Sequence, residues 1–110
     1  MSWQRAVSVA LGNKYESMLY SIKNAEAFHV GKVTDFAEVG AKAIDKHTLQ
    51  VVLENPTPYF LQILDHHSAY PVHVPTLLKY GRMDEAATRW TRPENFVGNG
   101  PFVVKEWTPG

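Results

Sequence analysis

The sequence predicts a mixed α/β chain, in which helices combine with a sheet that contains a β-hairpin. Three observations carry that expectation. Apolar residues recur at helical spacing from Trp3 to about Ala25, the period changes to two between Ala41 and Leu53, and a capped helical pattern returns at Thr57-Pro58.

Trp3, Ala6, Val7 and Ala10 form the first helical stripe, which should end near Leu11 because Gly12-Asn13 is a C-cap and turn pair. Asn13 and Glu16 have capping-box spacing, so a second helix is expected to run through Met18, Leu19, Ile22 and Ala25 toward Gly31. From Ala41, "AKAID" and "TLQVVL" flank Asp45-Lys46-His47 as a hairpin, with Leu49, Val51 and Leu53 on one face and Thr48, Gln50 and Val52 on the other. Asn55-Pro56 ends the second strand, because proline has no amide proton to give the ladder.

Thr57 as N-cap and Pro58 at the first helical position start another helix, with Tyr59, Phe60, Ile63 and Leu64 as its buried face. The hairpin and this helix are the expected stable centre. "AYPVHVP" should be extended, a short helix should cover Thr76 to Tyr80 up to Gly81, and Asp84 to Trp90 should add a helical turn or two before Pro93. After Gly100-Pro101, the alternation in Phe102 to Trp107 predicts a strand near a sheet edge.

The 110 residues are read as one unit whose 45% apolar content supports a modest core. Eleven basic and eleven acidic side chains cancel, which leaves no electrostatic footprint for nucleic acid or an anionic membrane. With no cysteine there is neither a disulfide framework nor a thiolate metal site, and the compartment stays open. No apolar run approaches the roughly 20 residues of a membrane span. The first residues lack the pattern of a secretory signal, and their abrupt entry into a helical stripe reads as a chain cut from something longer.

The residues that carry chemistry are sparse. Asp65, His66, His67 and His73 lie close in sequence, but adjacent histidines diverge from a helix and match no metal-ligand spacing, so no metal or cofactor is expected. Serine, histidine and aspartate occur without a nucleophile elbow, and Gly98-x-Gly100 is too short for a phosphate loop. Aromatic side chains, which pair a flat apolar face with a polar edge, remain as the resource for a ligand.

"SWQRAV", "YESMLYSIKNAEAFHVGK", "GAKAIDKHTLQVVLENPTPYFLQIL", "YPVHVPTLLKYG" and "PENFVGNGPFVVKEW" follow one another in the order of a known family. The chain resembles the extracytoplasmic solute-binding proteins of peptide ABC importers, the oligopeptide-binding branch above all. The most specific matches are the run from Asp45 to Phe60 and the "NGPFVVKEW" close.

The resemblance implies a slice, residues 1–110, of a two-lobed periplasmic binding protein: part of the small subdomain plus the strand that returns to the first lobe. It implies an extended oligopeptide ligand, held without covalent chemistry and delivered to a membrane permease, and a periplasmic or otherwise extracytoplasmic location. It places Tyr15 and the Gly98-Asn99-Gly100 turn at the ligand cleft. Asn99 stands where many members have threonine, and "VALGN" before Tyr15 lacks the usual proline. A plain strand-entry turn at Gly98 to Gly100 and local packing of Tyr15 are the competing readings. For the isolated chain the rivals are a self-associating interaction domain and a small hydrolase.

Overall fold

A computed structural model describes residues 1–108. Helices α1 (Ser2–Ala6), α2 (Ala25–His29), α3 (Phe60–Ile63) and α4 (Val74–Tyr80) are linked by 3-10 turns, and β1 (Ala41–Ala43) pairs with β2 (Leu49–Val51) in an antiparallel sheet. The mixed α/β expectation holds. The longest helix has seven residues, short of the roughly 12 to 15 that give an isolated helix even marginal stability in water, so tertiary contacts hold each one in place.

The first helix is shorter than its apolar stripe. It stops at Ala6, the chain extends at Ser8, a 3-10 turn covers Val9–Leu11, and Gly12 closes it in the left-handed conformation at φ 64. The capping box after it does not form. Asn13 instead bridges two segments: its Nδ2 donates to the Ala6 carbonyl at 3.0 Å, and its Oδ1 accepts from the Tyr15 amide at 3.1 Å.

What was expected as one helix from Asn13 toward Gly31 is broken in the middle. A 3-10 turn at Glu16–Leu19 and α2 are separated by Ser21 to Lys23, which pair with the far end of the hairpin. Ile22 bridges Leu53, the Lys23 amide donates to the Val52 carbonyl at 2.9 Å, and the Gly40 amide donates to the Lys23 carbonyl at 2.8 Å. Asn24, at φ 59, then turns the chain into α2. Leu19, Ile22 and Ala25 are nevertheless all buried, because a spacing of three places them on one side of this tighter path as well.

Gly40 permits this crossing. A Cβ at that position would lie 2.3 Å from the Val52 carbonyl oxygen, so the backbones meet only because the side chain is missing. The hairpin register is Ala41 with Val51, Lys42 with Gln50 and Ala43 with Leu49.

The centre of packing lies elsewhere than expected. Ala6, Val7, Leu19, Ile22, Ala25, Val39 and Ala69 form the core, and Trp3, Phe28, Phe36, Phe60 and Leu64 pack against it half-buried. The hairpin touches it through Ala41 and Val51 only, while Ala43 and Leu49 are exposed. Helix α3 begins at Phe60, because Tyr59 takes the N-cap position and the Thr57 hydroxyl donates to the Asn55 carbonyl instead of capping. Phe60, Ile63 and Leu64 are half-buried as expected; Tyr59 is exposed.

Helix α4 starts at Val74, earlier than expected, since Pro75 fits the first turn, and its Leu77 is fully buried. Of Asp84 to Trp90 only Arg89 and Trp90 are helical, in the single 3-10 turn Arg89–Thr91; before it Ala87 takes a left-handed conformation at φ 55. Phe102 to Trp107 has no regular secondary structure and no strand partner among the described residues, so the expected edge strand is absent there. Phe102 and Val103 are 90% and 92% exposed. Alternation alone makes no strand where no neighbouring ladder accepts its amides.

Candidate functional site

Tyr15 follows the turn that Asn13 holds, and its ring is half exposed. It rests on two histidines. Its ring centroid is 5.3 Å from that of His66 and 5.1 Å from that of His67, which are themselves 4.1 Å apart. The sequence marked both histidines, as poor metal ligands; their contact with a tyrosine about fifty residues away leaves no local signal.

His66 is fixed by its own chain. Its Nδ1 caps the 3-10 turn His67–Ala69 by accepting from the Ser68 amide at 3.3 Å, and it lies 3.1 Å from the Ser68 hydroxyl. That turn is anchored in turn, because Ala69 is core and its carbonyl accepts from the Trp3 indole at 2.8 Å. His73 Nδ1 is engaged with the Thr76 hydroxyl at 2.7 Å. Among the described residues no three His, Asp or Glu side chains converge on a point where a metal would sit.

Gly98 and Asn99 lie on a second feature, an open groove of about 690 Å³ lined also by Tyr70 to His73 and by the aromatic wall of Trp90 and Phe96 with Val97. The Trp90 and Phe96 rings stack with centroids 6.3 Å apart and planes 20° apart. Tyr15 and Gly100 are not on its lining. Of the four residues expected at one cleft, Gly98 and Asn99 line the groove, Tyr15 belongs to the tyrosine-histidine cluster, and Gly100 is on neither.

Neither Gly98 nor Gly100 is in the left-handed region. A Cβ at Gly98 would meet the Phe96 ring at 3.2 Å, whereas one at Gly100 would meet nothing. The glycine at 98 therefore makes room for the groove's own aromatic wall.

A charged side chain from α1 supports that wall. Arg5 is 9% exposed; its Nη1 donates to the carbonyls of Met83 and Glu85, the latter at 3.2 Å, and its guanidinium lies 6.0 Å from the Trp90 ring centroid. Burial pushes the Arg5 pKa down and the nearby Asp84 carboxylate pushes it back up. Ser68 and Thr76 each place a hydroxyl beside a histidine Nδ1, at 3.1 and 2.7 Å, and no carboxylate among the described residues bonds either ring. What the two surfaces offer is stacking, apolar contact and a few directed hydrogen bonds.

The sequence model of the bacterial extracellular solute-binding proteins, family 5, matches residues 1–110. The chain belongs to that family. Among curated relatives, the periplasmic oligopeptide-binding protein OppA of Escherichia coli K12 is 38% identical over 108 residues, which are 96% of this chain and 19% of OppA. The probable deoxycholate-binding periplasmic protein YgiS of the same organism is 37% identical over 109 residues, 97% of this chain and 19% of YgiS.

Solved structures agree. The OppA of Burkholderia pseudomallei superposes with a TM-score of 0.86 at 34% identity, covering 98% of this chain and 20% of that one. A periplasmic oligopeptide-binding protein of Borrelia burgdorferi gives 0.85 at 39%, covering 97% and 20%. This chain thus spans about a fifth of the length of the relatives it matches. Those relatives are named as binding proteins, and the mixed α/β architecture is the one their corresponding fifth adopts.

Proposed function

We propose that this chain is one part of an extracytoplasmic receptor that captures extended peptides without covalent chemistry and passes them to an ABC permease. The observation that carries the reading is the likeness over nearly the whole chain, in sequence and in fold, to oligopeptide-binding proteins. The rest of the reading concerns the parent protein. In it, residues 1–110 form part of the small subdomain and the segment returning to the first lobe, and the parent works in the periplasm or its equivalent.

The surface chemistry supports this proposal. The chain exposes 8125 Å², against roughly 6,100 Å² for a self-contained monomer of this mass, so a large share of its surface is suited to being covered. Tyr15 and the groove at Gly98-Asn99 are open to a ligand laid along the chain, with stacking and backbone hydrogen bonds as the source of affinity. No catalytic step is assigned to the site.

The reading predicts a difference between part and whole. One wall leaves much of a peptide in water and bears the cost of ordering it with few contacts, so residues 1–110 alone should bind a mixed tripeptide library no tighter than about millimolar, equivalent to roughly 4 kcal/mol. The parent protein should bind the same library at micromolar or better in a calorimetric titration. A parent that binds no peptide at any concentration up to millimolar would overturn the proposal.

A further inference from the structure

Resting on the peptide reading, we propose that His66 is a ligand-contacting residue: its Nε2–H, beside the exposed ring of Tyr15, donates a hydrogen bond to a carbonyl or carboxylate oxygen of the bound peptide.

The argument starts from the tautomer. A backbone amide can only donate, so the Ser68 amide requires an unprotonated Nδ1 on His66. The neutral ring then carries its single proton on Nε2. No acceptor among the described residues takes that proton, since every side-chain hydrogen bond of His66 is made by Nδ1.

The nitrogen is not sealed inside the protein either. The buried polar atoms without a partner are the Glu16 Oε2, the Ser21 hydroxyl and the Thr88 hydroxyl, and His66 Nε2 is not one of them. A donor of fixed tautomer, not fully buried and without a partner among the described residues, therefore sits on a half-buried ring that cannot turn without losing the Ser68 cap. Its neighbours favour a peptide. Tyr15 and His67 place two further exposed rings within 5.3 Å, so a backbone oxygen bonded to Nε2 would bring its flanking side chain onto an aromatic surface.

The two nitrogens have separate jobs, which makes the inference testable by two substitutions in the full parent chain. The amide oxygen of asparagine stands where Nδ1 does, so His66→Asn keeps the Ser68 cap and loses the outward donor. The amide nitrogen of glutamine reaches the Nε2 position, so His66→Gln keeps the donor and loses the cap. With trialanine as probe, the Asn variant should bind about tenfold more weakly than the Gln variant, the loss expected for one ligand hydrogen bond. Thermal melts should show the opposite order, with the Asn variant the more stable.

Equal trialanine affinity for the two variants, or a weaker Gln variant, would show that His66 acts only through its cap and would overturn the inference while leaving the peptide reading standing. A wild-type parent that binds neither trialanine nor the tripeptide library removes both.

Discussion

The amino-terminal region and the hairpin after it contain similar apolar side chains and hold them differently. Val7, Leu19, Ile22 and Ala25 are at most 2% exposed, whereas Ile44 and Leu49 in the hairpin are 54% and 56% exposed. The first region is tied locally, through Asn13 to Ala6, and covered from later in the chain, through Trp3 to Ala69, so its apolar residues meet partners on several sides. The hairpin is gripped at one end only, where Gly40 and Val52 cross Lys23, and its turn end projects beyond the core. Burial here follows from how many directions a segment is enclosed from, not from how hydrophobic it is.

The most severe test of that contrast is Leu19→Ala. A fully buried leucine should cost about 2 to 5 kcal/mol, read as a shift of midpoint in a urea melt. A loss under 1 kcal/mol would mean that the amino-terminal core is as loosely held as the hairpin.

Arg5→Met comes next. It removes the donor to Met83 and Glu85 and leaves two carbonyls without that partner, so a loss of about 1 to 3 kcal/mol is expected. The Trp90 indole resonance should move in the same variant while that of Trp107 stays in place. An unmoved Trp90 signal would separate α1 from the groove wall.

Leu53→Ala sharpens the comparison within the sheet. Leu53 is half-buried at the gripped end, opposite Ile22, and should cost about 1 to 2 kcal/mol, while Leu49→Ala at the free end should stay within about 0.5 kcal/mol. Equal losses would show that the two ends of the hairpin are equally enclosed. The smallest effect is electrostatic. The His47 amide and the Thr48 hydroxyl hold the Asp45 carboxyl below the usual aspartate range, so it favours the turn above the unfolded pKa and stops doing so as pH falls through the lower folded one. Carbon NMR of the Asp45 carboxyl against pH should give a midpoint under that of a model peptide.

How much of this was legible in the sequence depends on whether the deciding contact is local. The place of the hairpin, the turn at Gly12 and the end of α4 at Gly81 were readable, since turn residues and alternation fix them nearby, although α1 itself stops earlier, at Ala6. The break at Ser21 to Lys23 was not, because it is made by Val52 and Leu53 some thirty residues on. Leu19, Ile22 and Ala25 look the same on an α-helix and on the tighter observed path, so the buried set was right where the backbone was wrong. The same limit applies to the candidate site. Tyr15 and Asn99 could be named through family resemblance, but the histidines beneath Tyr15 and the aromatic wall beside Asn99 are assembled by packing alone.

The reach of Arg5 bears on how such a chain is made. Its partners Met83 and Glu85 lie 78 and 80 residues downstream, and Trp3 waits 66 residues for Ala69. A ribosome adding about 5 to 20 residues per second needs about 4 to 16 s to supply those 80 residues, and α1, with five residues, has no means of standing alone meanwhile. Ala6 and Val7 therefore remain uncovered on the nascent chain for seconds, an interval long enough for a chaperone or a translocation machine to take hold of the chain before it folds.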